Sequence, residues 1–370
     1  MTETQQETRR RSWMDFVTPY QKWQKDEGIP VYKGPAVSDL YTLELGFWPR
    51  AGQRAAFVNL ADQEQDDGWV TEIAPRGQTE VQHHTFEAMT MILEGRGATT
   101  FWQPNRPKQT VEWQRGSLFA PPMNCYYQHF NLDGEKPARL WTVTSLPMML
   151  NSVRDPGFVF DNPYVFADRY NGEEDYFTNP GRLDGHNWHT NFVPDVRTFE
   201  LRSAADDQYS RGMGVQSIQF ILGRNSMQCH ISQWPSGTYK KAHCHGVGAH
   251  VTILKGQGYS LLWSEGEPYK RVDWKEGTVL SPRDGEYHQH FNTGPEPCSF
   301  LALRLGELDW NKTAPRLSYK PEYRIGGEGH EGGIPYEKED PSIYESWLED
   351  CKKNGVAPVL PRPAYVNGAK

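Results

Sequence analysis

Basic charge is scarce in this chain: 39 Lys and Arg stand against 47 Asp and Glu, for a formal net charge of −8. That balance argues against nucleic acid or an anionic membrane surface as the main partner. Long apolar runs are missing too, and no stretch approaches the ~20 residues that a membrane-spanning helix needs. The one basic cluster, Arg9-Arg10-Arg11, looks like the start of a twin-arginine export signal. VTPYQKWQKDEG follows where an apolar segment would have to stand, so export is not expected. Cysteines number five (Cys125, Cys229, Cys244, Cys298, Cys351), an odd count with no pairing pattern, which fits reduced thiols in a cytoplasmic protein. Helical periodicity is sparse as well, confined to 12–26 and to 341–353, where Pro341 and Ser342 make a good helix opening.

What the chain has instead is turn residues and aromatics: 34 Gly, 27 Pro, 13 Trp, 18 Tyr and 16 Phe in 370 residues. Short runs such as AMTMILEGRGATTFW, RVDWKEGTVLSP and CSFLALRLG alternate with Gly/Pro clusters. That pattern predicts an all-β sandwich or barrel. The aromatics suit either a lined cavity or sheet packing, since both use them.

The β text is written twice. Residues 82–131 slide onto 243–292 without a gap, and roughly a third of the positions are identical. Gly95 and Gly97 fall on Gly256 and Gly258, Trp102 on Trp263, and Trp113 on Trp274. YYQHFN at 126–131 falls on YHQHFN at 287–292. A duplicated domain follows, with an N-terminal extension at 1–39, a first half at 40–147, a structured connector at 148–204, a second half at 205–306 and a tail at 307–370. The long ends suggest subunit contacts, so a homo-oligomer is expected.

The second half carries the chemistry. His243 and His245 are spaced i, i+2, so they share one face of a strand. His288 lies about forty residues on, on an expected neighbouring strand. Three neutral imidazoles converging from two strands make a facial metal site with open positions, the pattern of a catalytic rather than a closed structural metal. The equivalent positions of the first half are Gln82, His84 and Tyr127, so that half is expected to have lost its metal. His83 and Glu87 would reach the same side only if the register slipped.

These residues resemble the cupin superfamily. The first cupin motif is matched at Gly237, His243, His245 and Gly256, and the second at Pro282, His288 and Asn292, with one extra residue after the proline. With the duplication, the resemblance implies a bicupin, a pair of jelly-roll β-barrels. The glutamate ligand of the motif is replaced by Ala249, with His250 beside it. Bicupin ring-cleaving dioxygenases similar to gentisate 1,2-dioxygenase also carry alanine there and use three histidines with ferrous iron, although they hold the metal in the first barrel. The resemblance therefore implies Fe(II); Mn, Ni, Cu and Zn also suit three imidazoles.

Three open positions on the ion would accept a chelating small molecule and O2, and loss of the glutamate favours an anionic one. The expected activity is a dioxygenase acting on a hydroxylated, carboxylated aromatic or a related enol or diketone. A non-oxidative decarboxylase, isomerase or C–C hydrolase, or a binding protein without chemistry, are the alternatives. Arg304, in the apolar FLALRLG, is a candidate for a substrate carboxylate or for a salt bridge. His290 is a candidate proton carrier, or a structural residue like its counterpart His129. Trp263, Trp234 and Tyr287 are candidate pocket walls, and His250 a fourth ligand if its strand bulges.

Overall fold

The computed structural model describes residues 17–203, 212–245, 248–305 and 334–365, so Arg9–Arg11 and the glycine-rich stretch at 326–333 lie outside it. Among the described residues nearly all regular structure is strand. The α-helices are Pro19–Asp26, Leu146–Val153, Pro156–Phe160 and Pro341–Lys353, and none is long and apolar enough to cross a membrane. All five cysteines are buried and unpaired.

The strands form two pairs of sheets. In the first half an eight-stranded sheet faces a three-stranded one made of Tyr126–Asn131, Arg96–Trp102 and Gln109–Gln114. In the second half a nine-stranded sheet faces Lys270–Lys275, Gln257–Trp263 and Tyr287–Asn292. Each half is thus a double-sheet barrel in which alternate side chains point inward.

The repeated letters have packing reasons. A Cβ on Gly97 would lie 2.1 Å from the carbonyl oxygen of Phe130 and 2.3 Å from the Trp113 ring. On Gly258 it would lie 1.9 Å from the carbonyl oxygen of Phe291 and 2.7 Å from Trp274. Only glycine lets the tryptophan lie flat across that crossing. Asn131 donates through Nδ2 to the carbonyls of Ile73, Ala74 and Lys136, and Asn292 to those of Pro235 and Glu296, closing the turn after each QHFN.

The halves exchange strands. Val31–Gly34 runs parallel to Phe57–Leu60 of the first barrel, and then Ala36–Val37 crosses to pair with Val279–Leu280 of the second. Asn187–Thr190 runs parallel to Gln219–Leu222 of the second barrel, and Phe192–Val193 crosses back to Leu118–Phe119 of the first. The anchors match as well: Leu40 N–H donates to the Gly277 carbonyl and Val196 N–H to that of Gly116, both at 2.8 Å. One apolar cluster runs through both halves, joining Val70, Met89 and Trp141 to Phe220, Ile231 and Leu301. The Trp141 indole donates across the boundary to Thr252 Oγ1 at 3.1 Å.

Two segments cover the barrels. Tyr170 and Phe177 of the connector enter the core of the first, where Phe177 stacks on Phe101 at 4.5 Å. The C-terminal segment lies on the outer face of the second barrel's small sheet. Trp347 of the last helix packs on Tyr239, with Tyr259 and Phe291 in the same cluster. Asp340 caps that helix by accepting from Ser342 N–H.

Candidate metal centre

Strand alternation sorts the second barrel. Along Gln257–Trp263, Ser260 and Leu262 face in while Tyr259 and Leu261 face the tail. Tyr287–Asn292 is paired with this strand, Leu262 opposite His288 and Ser260 opposite His290, so both histidines point inward. The segment before His245 bridges the same strand at His243 and His288, whose backbones exchange hydrogen bonds of 3.1 and 2.9 Å. His243, His245 and His288 each therefore offer a ring nitrogen to one place, with all three nitrogens within 4.8 Å of one another. Ring centroids are 5.8, 4.2 and 4.9 Å apart. Three imidazole nitrogens at that spacing fit a first-row transition ion, with Nδ1 or Nε2 as donor.

In the first barrel the equivalent bridge joins Gln82 to Tyr127, so the register does not slip. His84 Nε2 lies 2.8 Å from the Tyr127 hydroxyl and its Nδ1 2.8 Å from the Phe86 carbonyl, so both ring nitrogens are engaged. Burial pushes this imidazole down to about 3, keeping it neutral. His83 stacks on Tyr126 instead. Glu87 is buried in an ion pair with Arg169 at 2.9 Å and accepts from the Ser226 hydroxyl and from Met227 N–H, tying connector and second barrel to the first.

The other candidates divide by face. His290 points inward with the trio. The Trp274 indole donates to Ser260 Oγ at 2.9 Å, and that hydroxyl shares a hydrogen bond of 2.7 Å with His290 Nδ1. Burial, reinforced by nearby His288 and Lys240, holds this ring well below the ordinary histidine range. The same relay, Trp113 to Thr99 to His129, exists in the first barrel, so it is a feature of the fold. Trp234 is buried inside the second barrel, 6.2 Å from His290 between ring centroids. Arg304 continues the inward row of Phe300 and Ala302, opposite Gln228.

Trp263 and Tyr287 are not brought to the trio. They pair with each other and stack at 5.5 Å, and both lie on the outer face because each is one residue out of step with the inward row. His250 is directed away too: without a bulge at its position, it lies against Trp141 and 3.6 Å from Asp66 at the boundary between barrels. Burial lowers His250 to about 4 and raises Asp66 to about 8. Sequence reasoning missed Lys240, which is buried in the second barrel, because a lysine in strand text reads as surface.

A scan of protein-family models and a search of curated proteins find no significant match. Among solved structures the chain is similar to oxalate decarboxylase from Bacillus subtilis at pH 4.6, at 13% identity and a TM-score of 0.50, covering 73% of this chain and 76% of that one. It is similar as well to the formate complex of the Lactobacillus farciminis oxalate decarboxylase, at 12% identity and a TM-score of 0.50, covering 76% and 90%. With the paired double-sheet barrels, this likeness shows the fold. The chain has the bicupin fold, two jelly-roll barrels in one polypeptide.

Proposed function

We propose that the chain is a metal-dependent enzyme acting on a small anionic molecule by non-oxidative chemistry, decarboxylation or C–C cleavage, with the ion held by His243, His245 and His288. The observation that carries this reading is the convergence of three imidazole nitrogens in one barrel while the other barrel has turned the same positions into a closed His84–Tyr127 pair. The structural neighbours, oxalate decarboxylases, favour the non-oxidative branch. A bound ion would supply Lewis acidity toward a carboxylate or keto oxygen. The chain's own residues orient the substrate and handle its proton. His290, held by Ser260 beside the trio, is the candidate proton carrier, and Arg304 on the inward row offers a guanidinium to a carboxylate.

A second reading, O2-dependent cleavage, is favoured by Ala249, which puts a buried methyl where a carboxylate ligand would otherwise reduce the positive charge of the site. The two separate cleanly. Protein loaded in turn with Mn(II), Fe(II) and Zn(II) is offered a panel of keto acids, dicarboxylates and hydroxybenzoates, with and without O2. Carbon dioxide or a cleaved product formed anaerobically supports the first reading, and turnover that consumes O2 stoichiometrically replaces it with the second. Absence of turnover with every loaded form counts against both.

A further inference from the structure

The second barrel contains a buried lysine in its wall that the metal reading does not use. Lys240 is 2% exposed. Its backbone N–H donates to the His290 carbonyl at 2.9 Å, as that of His243 does to His288. Lys240 therefore lies beside His290, about two residues or roughly 6–7 Å along the strand from the trio. Its Nζ donates to Ser232 Oγ at 2.9 Å and stands 4.5 Å from the Phe300 ring centroid and 5.5 Å from that of Trp234. Trp234 is 1% exposed, and its indole N–H has no hydrogen-bond partner, although buried indoles ordinarily find one. A buried lysine amine and an unsatisfied indole N–H thus adjoin in one interior, and both can donate to the oxygens of one carboxylate.

The duplication supplies a control. Thr79 donates its N–H to the His129 carbonyl as Lys240 does to that of His290. Ile73 precedes the Ala74 carbonyl that accepts from Asn131, as Trp234 precedes the Pro235 carbonyl that accepts from Asn292. Lys240 and Trp234 are therefore Thr79 and Ile73 in the barrel without the trio. The Trp–hydroxyl–His relay survives in both barrels, whereas the lysine and tryptophan accompany the three histidines.

We infer that Lys240 Nζ and Trp234 Nε1 together form the seat for one carboxylate of the substrate, whose other end reaches the trio. The inference rests on the metal reading for that other end only. The seat calls for a small molecule with a carboxylate at one end and an oxygen ligand for the trio at the other.

The test uses the full chain with 15N-labelled tryptophan and acetate, succinate and glutarate as probes. The Trp234 indole signal is identified by its loss in Trp234→Phe. In metal-free protein, acetate should move that signal saturably. Lys240→Arg should retain the response, and Lys240→Met should weaken acetate about ten-fold or more. In Co(II)-loaded protein, succinate or glutarate should bind at least about ten-fold tighter than acetate, and Lys240→Met should abolish that advantage while Co(II) stoichiometry stays the same. An indole signal unmoved by saturating acetate in the wild type overturns the seat, whatever the variants do. So does an equal response in Lys240→Met, or equal Co(II)-form affinities for acetate and the dicarboxylates. Acetate dependence on Lys240 in a protein that takes up no Co(II) would leave the seat standing and bring down the metal reading instead.

Discussion

Tyr127 shows how little separates the two barrels. Its hydroxyl meets His84 Nε2 at 2.8 Å where His288 faces its partners in the other half, and the backbone bridge beneath is the same. Replacing Gln82 and Tyr127 together by histidine should therefore restore a trio with His84, since imidazole is the smaller ring at 127. Co(II) bound per chain should rise from one to two equivalents in equilibrium dialysis, with turnover per chain unchanged, because Tyr170 and Phe177 still fill that interior. In the second barrel, His288→Ala should lower bound metal from one equivalent toward none, measured by elemental analysis on protein whose circular dichroism is unaltered. The trio could be read from sequence because two histidines at i, i+2 precede the third in the QHFN copy, although their segment forms only an isolated bridge at His243 and no strand. Strand parity placed Tyr287 and Trp263 outside, although their aromatic character drew attention to them. Lys240 gave no such signal: its meaning depends on which way a short irregular segment turns.

At the scale of elements, the strands and their duplication were plain in the sequence because glycine and tryptophan recur where the backbone crossing demands them. The helix at 341–353 was legible too, but where the connector and tail dock was not, since they pack by isolated aromatics without a period. Trp347 is the clearest case. Trp347 is fully buried against Tyr239 and donates to the Asn292 carbonyl at 3.3 Å. Trp347→Ala should cost about 3–5 kcal/mol, seen as a lower midpoint in urea, with metal content retained because the trio lies on the opposite face of that sheet. Beside it, buried Glu339 accepts from Tyr239 and from Gln289, and burial raises its carboxyl to about 7.

For the molecule as a whole, burial sets the pH response. Asp66, Asp67 and Glu339 are raised to about 8, 7 and 7, so each contributes stability that is complete below its unfolded value and is lost as pH climbs through the folded one. His84, His129 and His250 are lowered to about 3, 3 and 4, and their contribution is lost as pH falls through those values. Near 6.5, the unfolded value for histidine, the two sets oppose each other, and about a unit higher only the carboxyls of these six groups still change. The melting temperature should therefore fall between about pH 7.5 and 8.5 in calorimetry, and Asp66→Asn should flatten that decline. An unchanged slope in the variant would exclude Asp66 as its source.

The crossed arms at 36–37 and 192–193 have a consequence for ancestry and for surgery on the gene. Such reciprocity is what two copies of a one-cup precursor would leave behind if each had lent its arm to its twin before a peptide bond joined them. Severed near Pro180, neither piece owns a complete set of edges. Expressed apart they should be insoluble, and expressed in the same cell they should co-purify as a one-to-one pair.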